Sequence, residues 1–229
     1  LIVEDYSHYH MLLRLAAGAM GVPYLPCRAS MGTDILNPAY DMLNVNQLRD
    51  GKDPAIPKKK FDYVDDPFYD EGEIILVPAA RPNVCVAHVQ QVGEEGTVRV
   101  HGQRYSDAEA MKAADKLIVV AEEIVPERTL RHEPCANLIP HYLVDAIVEV
   151  PWGAHPTGCY GYYEVDGAFI RDFYKKTKTQ EGFDEWAREW IFDVENYDDY
   201  LYKLGFERLD ILRANSATKY STRVKRGAV

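Results

Sequence analysis

Apolar runs of strand length alternate with helix-like segments along the chain, and this alternation predicts the fold class. The runs lie at positions 74–77, 84–89, 97–100, 117–121 and 143–150. Most of them are continuously apolar, which is typical of strands covered on both faces. Residues 8–20 have helical composition and are apolar almost all round, which predicts a helix buried on most faces. The pattern predicts an α/β fold, with an open, mostly parallel sheet and helices on both faces.

Local signals predict where several elements begin and end. Asp5 or Ser7 can accept a backbone N–H bond at the start of the first helix, and Gly21 suits the left-handed position after it. The residues 106–109 (SDAE) form a capping box, which predicts a helix over 108–115. Positions 1–3 (LIV) resemble the end of a strand, so we expect the chain to open with a strand, a turn and a helix.

The organisation along the sequence is that of one domain over residues 1–229, without internal repeats. Residues 37–73 form a Pro-rich, acidic excursion, and we expect a loop rather than a packed unit. Its carboxylates lack the order of a calcium loop, and its lysines at 58–60 are predicted to be solvated. Residues 166–213 form a helical C-terminal part. One helical face there is predicted to carry Phe183, Trp186, Ala187, Trp190 and Ile191.

Composition excludes several classes of protein. A formal net charge of −10 argues against a nucleic-acid partner, and no apolar run approaches the roughly 20 residues that span a membrane. The start has neither the pattern of a signal peptide nor a methionine, so we expect a piece of a longer product. Four widely spaced cysteines form no disulfide framework, which favours a reducing cytoplasm.

Sequence motifs give little support to metal or nucleotide chemistry. No Cys-x-x-Cys pair, His-x-x-x-His spacing or clustered Cys and Glu is visible, so no metal site is expected. A Ser-containing nucleophile elbow, a P-loop and a dinucleotide fingerprint are also absent. His155, in a turn after an apolar strand, could contact a ligand or bond its own backbone.

Polar residues at the ends of predicted strands are the candidate ligand-binding groups, because ligands of open α/β sheets bind there. A helix N-terminus also attracts carboxylates and oxyanions. Each position has a plain structural alternative: a helix cap, an ordinary turn or solvent exposure. The candidates are Glu4, Tyr6, Ser7, Ser30, Gly32, Thr33, Gln90 and Gln91.

Several of these segments, taken in order, resemble the alpha subunit of class I coenzyme A transferases. The segments are 11–34, with AAGAMGVPYLP at its centre, 87–91 (AHVQQ), 115–125 (DKLIVVAEEIV), 144–148 (VDAIV) and 153–156 (GAHP). The tail, with KTQEGFD at 178–184 and YLYKLG at 200–205, resembles the glutaconate CoA-transferase type in particular. Single motifs are weak, but their shared order is specific.

The resemblance implies a ping-pong transfer of CoA from an acyl-CoA to a dicarboxylic or short-chain acid. The nucleophilic glutamate belongs to the beta subunit in two-subunit members, and this sequence lacks its Ser-Glu-Asn-Gly motif. The implied partner is therefore a beta subunit, in a heterodimer or an α2β2 assembly, and no catalytic residue is expected in this chain. The resemblance also implies a CoA thioester as substrate and no tightly bound cofactor. Relative to the family, the sequence lacks an N-terminal, Gly-containing strand-helix portion.

Two other functions remain open from the sequence. Some relatives hydrolyse CoA-linked ring diketones, and in that case Glu4 or Asp5 would act as a general base. A non-catalytic sugar-phosphate-binding or regulatory protein of similar fold is the second alternative, since fold alone does not determine function.

Overall fold

The computed structural model describes residues 3–37, 39–41 and 44–224. Leu1 and Ile2, which belong to the predicted opening strand, lie outside these residues. The α-helices are α1 His8–Met20, α2 Asp107–Ala113, α3 Glu127–Arg131, α4 Gly167–Lys176, α5 Gln180–Ala187, α6 Tyr197–Leu204 and α7 Phe206–Leu212. The strands are β1 Tyr24–Cys27, β2 Asp62–Asp65, β3 Glu73–Pro78, β4 Val84–Gly93, β5 Val98–Arg99, β6 Lys116–Val125, β7 Asn137–Ile139 and β8 Ala146–Glu149. Short 3-10 turns cover Asp34–Leu36, Val45–Leu48, Pro134–Ala136 and His141–Leu143.

The larger sheet confirms the predicted α/β class. Its strand order is β7-β5-β4-β6-β8, in which β4, β6 and β8 pair in parallel and β5 pairs antiparallel with both β4 and β7. Leu117, Val119 and Ala121 of β6 pack into one core together with Met111 of α2. Glu122 points to the opposite face, where Tyr163 contacts it. The sheet is therefore covered on two sides.

Coverage of β4 is less complete than its apolar sequence predicts. Val89 and Val92 are fully buried, but Val84 and Val86 at the start of the strand are 52% and 65% exposed. The predicted strand over 143–150 is also shorter, since residues His141–Leu143 form a 3-10 turn and only Ala146–Glu149 pair with β6.

A second sheet is built partly from the Pro-rich segment. It is antiparallel, with the order β1-β3-β2, and β2 comes from within residues 37–73. Phe61 and Leu36 are buried with Ile75 and Val77 of β3 in one apolar cluster, against which Leu13 of α1 packs. The segment is thus more than the unpacked loop that its prolines and carboxylates predict, because an apolar residue beside the lysines reaches the core.

Capping of the helices follows the sequence in one case and departs from it in another. The Ser7 hydroxyl accepts a bond from His10 N at 3.0 Å, and Gly21 adopts a left-handed φ of 70° after α1. Ser106 precedes α2, but its side chain makes no capping bond because its backbone (φ −96°, ψ 16°) is not extended. The helix there spans Asp107–Ala113 instead of 108–115.

The C-terminal part is helical, as predicted, and forms its own apolar cluster. Phe169, Leu204, Leu209 and Leu212 are buried in it, with Trp186 and Trp190 packed alongside. A π-helical turn at Arg188–Phe192 changes the periodicity, because each π turn takes more residues than an α turn. Ile191 is therefore 55% exposed instead of buried, and Phe183 is 42% exposed. Across the described ranges, no helix has the length and apolarity needed to cross a lipid bilayer.

Candidate functional site

A cavity of about 530 Å³ opens beside the residues that precede α1. Its walls combine apolar side chains with charged groups of both signs, and they come from the N-terminal turn and from the Pro-rich segment. Its lining residues include Glu4, Leu36, Arg49, Lys60 and Phe61. Mostly apolar walls with a few convergent polar groups are typical of a small-molecule site.

Glu4 and Arg49 form an ion pair at this cavity. The Arg49 side chain is only 5% exposed and that of Glu4 is 20% exposed. Arg49 Nη1 also donates to Pro57 O at 2.6 Å, so its guanidinium is held from two sides. A buried arginine that is already paired with a carboxylate helps to shape the cavity but offers little free charge to a ligand.

Lys60, a second cation at this cavity, is less neutralised than Arg49. Its ammonium lies 5.3 Å and 5.7 Å from the ring centroids of Tyr6 and Phe61, and donates to Ile35 O at 3.1 Å. Among the described residues, no carboxylate forms an ion pair with it. Burial lowers the pKa of Lys60, while the carboxylates of Glu4 and Asp5 oppose that shift.

The Tyr6 ring lies beneath the Lys60 ammonium. Burial raises the pKa of Tyr6 to about 12, with Arg14 lowering it and Glu4 raising it further. The hydroxyl is buried, and no atom of the described residues meets hydrogen-bond geometry with it. Its ring also carries the Arg14 guanidinium at 4.3 Å from the centroid. A neutral phenol ring thus lies between two cations.

The two predicted turns are neighbours, but several of their polar groups already have partners. His10 Nε2 of α1 lies 3.3 Å from Ala29 O, which joins the turn before α1 to the turn after β1. The Ser7 hydroxyl caps α1, and Thr33 Oγ1 donates to Ser30 O at 2.7 Å. Ser30 and Gly32 have left-handed φ values of 66° and 78°. These features support the turn geometry, and ligand binding by the four residues stays a prediction.

Gln90 and Gln91 belong to a different part of the molecule, on β4. The Gln90 amide makes two hydrogen bonds with the backbone of His101. Its Nε2 donates to His101 O at 3.2 Å, and its Oε1 accepts from His101 N at 3.0 Å. Gln91 Nε2 donates to Glu123 Oε2 at 3.1 Å. The structure therefore gives both amides protein partners, and their role toward a substrate stays a prediction.

A buried cluster on the same sheet was not predicted. The Glu122 side chain is 3% exposed; its Oε2 accepts from Trp152 N at 2.8 Å and its Oε1 accepts from Tyr163 Oη at 2.5 Å. Cys159 and His88 lie beside it. Burial, followed by the Glu122 bond, raises the pKa of Tyr163 far above its ordinary value. Burial also raises the pKa of the Cys159 thiol to about 12. The available signal was a glutamate directly after the apolar run 117–121.

His155 has a structural role. Its side chain is fully buried, with Nδ1 at 2.5 Å from Tyr200 Oη and Nε2 at 3.1 Å from Asp166 Oδ2. Asp166 also pairs with Arg208 and accepts from Phe169 N at 2.9 Å, capping α4. Burial alone would raise the pKa of Asp166, but the bonds from His155 and Arg208 hold it well below its usual range. Neither ring nitrogen of His155 is free for a ligand.

Comparison with known proteins agrees with the fold and with the order of the motifs. A family model described as coenzyme A transferase matches residues 1–150. The A subunit of glutaconate CoA-transferase from Acidaminococcus fermentans is 38% identical over 209 residues, which cover 91% of this chain and 64% of that relative. The crystal structure of glutaconate coenzyme A-transferase from the same organism superposes with a TM-score of 0.87, covering 95% of this chain and 68% of that chain, at 37% identity.

Two other relatives carry different names. The A subunit of 3-oxoadipate CoA-transferase from Pseudomonas knackmussii is 29% identical over 90% of this chain and 65% of its own length. A cholesterol ring-cleaving hydrolase IpdA subunit of Mycobacterium tuberculosis is 27% identical over 85% of this chain and 63% of its own length. This chain thus spans somewhat less than two thirds of each of these curated relatives. The family match alone covers more than half of the sequence, and the chain belongs to the coenzyme A transferase family.

Proposed function

We propose that this chain forms the alpha subunit of a two-subunit CoA-transferase that moves CoA between an acyl-CoA and a free carboxylic acid. The observation that carries the proposal is the 38% identity to the A subunit of glutaconate CoA-transferase across 91% of this chain, together with the backbone similarity to that enzyme. The corresponding subunit of 3-oxoadipate CoA-transferase, a second relative, adds support.

The proposed chemistry is covalent catalysis through a glutamate of the partner subunit. The glutamate carboxylate attacks the acyl-CoA carbonyl, which forms a mixed anhydride and releases CoA thiolate. The thiolate then attacks the glutamyl carbonyl of the anhydride, giving a glutamyl-CoA thioester and the first free acid. A second acid reverses these steps and leaves as its CoA thioester. Splitting one exchange into several acyl transfers lowers each barrier.

The cavity beside α1 is the part of this chain that we assign to the carboxylic acid. Lys60 provides an ammonium group that no carboxylate of the described residues neutralises within ion-pair distance, and the Tyr6 ring lies against that ammonium. Leu36 and Phe61 provide apolar walls. A dicarboxylic or short-chain acid fits such a site, since one carboxylate pairs with the lysine while the carbon chain contacts the apolar surface. Of the predicted residues, Glu4 and Tyr6 remain closest to this role.

The alternative is a component of a CoA-linked hydrolase, suggested by the ring-cleaving hydrolase relative at 27% identity. In that enzyme class, Glu4 of this chain would act as the general base. The Glu4 carboxylate is already paired with the Arg49 guanidinium, and a base needs a free oxygen within reach of the proton it removes. The pairing is through Oε1, so assay of the reconstituted complex, and not this contact, separates the two functions.

We place the enzyme in the cytoplasm, as a heterodimer or α2β2 complex without a tightly bound organic cofactor. The free cysteines 27, 85, 135 and 159 are consistent with a reducing compartment.

Reconstitution with a candidate beta subunit tests the proposal. We expect CoA exchange only when both chains are present, and we expect borohydride reduction in the presence of acyl-CoA to trap the thioester on the partner. A trapped thioester within this chain, or exchange by this chain alone, would overturn the assignment. Hydrolysis of the acyl-CoA without transfer would favour the alternative.

Lys60→Met tests the assigned cavity in the same complex. Losing one charge-assisted contact costs about 1.5–3 kcal/mol, so we expect the KM for a dicarboxylic acid to rise at least about tenfold. Lys116→Met is the matched control, because the Lys116 ammonium is paired with Asp145, its side chain is 66% exposed and it is not among the residues that line the cavity. Equal KM changes in the two variants would remove Lys60 from the site.

A further inference from the structure

We propose that His88, Glu122 and Cys159 form a binding site for one zinc ion, in contrast to the sequence-based expectation that this chain holds no metal. His88 lies on β4, Glu122 on β6 and Cys159 in the segment after β8. Each contributes one ligand atom, and these atoms all lie within 4.8 Å of one another. Parallel pairing of β4 with β6 and folding of the later segment over them bring the three together.

The carboxylate of this cluster is held in position by the surrounding backbone and a phenol. Trp152 N donates to Glu122 Oε2 at 2.8 Å and Tyr163 Oη donates to Oε1 at 2.5 Å. Metal-binding carboxylates are commonly oriented by such outer hydrogen bonds, and these outer partners contribute strongly to metal affinity. The cluster therefore has its supporting contacts as well as its donor atoms.

The histidine nitrogen in this cluster lacks a conventional partner. His88 Nε2 is buried and 2.9 Å from Glu122 Oε1, yet within the described part of the chain no atom meets hydrogen-bond geometry with it. A buried polar nitrogen without a hydrogen bond is costly, and such a group calls for an explanation. A lone pair directed at a shared metal position would provide one.

The donor set selects the class of metal. One imidazole nitrogen, one thiolate sulfur and one carboxylate oxygen suit zinc, whereas magnesium and calcium prefer oxygen donors alone. Zinc bonds of about 2.0–2.3 Å require the ligand atoms to draw closer, by about 1 Å for the most distant pair. Since Trp152 N and Tyr163 Oη hold the Glu122 carboxylate, rotation of the His88 and Cys159 side chains would have to supply this movement. The metal, one carboxylate and one thiolate together are neutral, and the thiol proton leaves to solvent on binding.

Metal binding at this site would have a structural consequence. The His88 side chain is 20% exposed but its Nε2 is buried, so an ion would enter as the imidazole moves. A bound ion would link β4 and β6 to the segment that carries Trp152 and Tyr163. The fourth position around a tetrahedral zinc would be left to water. This role does not depend on the proposed CoA transfer.

Metal binding to the full chain tests this proposal directly. The chain is freed of metal with a chelator, dialysed against zinc and analysed for bound metal; a cobalt-loaded sample is examined for thiolate-to-cobalt absorption. We expect one zinc per chain and the thiolate band. Cys159→Ser should abolish the band and reduce zinc to background, whereas Cys135→Ser, at an exposed cysteine, should change neither.

Circular dichroism will show whether Cys159→Ser folds. If it does not fold, a second variant tests the same site. His88→Gln removes the imidazole at a partly exposed position and should lower zinc affinity at least tenfold with the fold retained. Stoichiometric zinc in both the Cys159 and His88 variants would overturn the proposal. Absence of zinc and cobalt binding in the unmodified chain, or loss of binding in Cys135→Ser, would do so equally.

Discussion

Replacing Asp166 by asparagine should destabilise the C-terminal part of the molecule strongly. The Asp166 side chain is 4% exposed and pairs with Arg208 and His155 at once, and it caps α4 through Phe169 N. Asparagine keeps the size and one acceptor but loses the charge. The side chains of His155 and Arg208, which contact the carboxylate, are then left with a weaker partner.

The expected loss in the free energy of unfolding depends on whether Arg208 and His155 can be solvated once the charge of Asp166 is gone. Removing one member of a buried pair costs about 3–5 kcal/mol. The Arg208 side chain is 33% exposed and can turn toward solvent, but the His155 side chain is fully buried and cannot. We therefore expect the lower end, about 3 kcal/mol. For a chain of this size, that corresponds to a decrease in Tm of about 6–12 °C.

Lowering the pH should reduce the difference in stability between the native protein and Asp166→Asn. The pKa of Asp166 in the folded state lies below its unfolded value of about 4. Its charge therefore contributes stability above that pH, and the contribution is lost as the pH falls through the folded pKa. The free energies of unfolding of the native protein and of Asp166→Asn should converge as the pH is lowered below about 4.

Thermal melting of Asp166→Asn beside Asp210→Asn is the assay. Asp210 pairs with Arg223 at the surface, where both side chains are about 60% exposed, so its loss should cost less than about 1 kcal/mol. The reasoning is refuted if the two variants melt at the same temperature, or if the effect of Asp166→Asn is unchanged in acid.

Three further predictions test the packing. Gly18→Ala in α1 should destabilise the protein in urea, because the new Cβ would lie 2.3 Å from Ala80 O; overpacking costs about 1–3 kcal/mol, against a helix gain of about 1 kcal/mol. Unchanged or increased stability would show that this close approach is absent. Trp190→Ala should cost about 3 kcal/mol or more and Ile191→Ala less than about 1 kcal/mol, since only Ile191 is exposed; equal costs would contradict the π turn. Ser7→Ala should cost about 1 kcal/mol and speed amide exchange in the first turn of α1, and unaltered exchange would count against the cap.

Local features were predictable because their causes lie within a few residues of each other. The helix α1 has its cap at Ser7 and its left-handed stop at Gly21, and both act on backbone groups less than one turn away. The strands β3, β4 and β6 follow from short apolar runs, although the 143–150 run was shortened by a 3-10 turn. The order of motifs also indicated the family, which the comparison confirmed.

Side-chain partnerships were the main source of error. Lys60 belongs to a charged run that predicts a solvated loop, yet its neighbour Phe61 enters the core and holds the ammonium near Tyr6. Gln90 ends an apolar run, and only the position of His101 shows that its amide is already used. In each case the partner is distant in sequence, and no local pattern specifies it.

The sequence by itself determined the fold class, the helix α1 with its cap and stop, the strands β3, β4 and β6, and the family, because hydrophobic periodicity and backbone capping act over short distances along the chain. Only the tertiary structure decided which charged and polar groups meet. Glu122, His88 and Cys159 become neighbours through parallel strand pairing and a later segment that folds across the sheet. Contacts of this kind depend on three-dimensional packing, in which residues more than thirty positions apart share one buried space.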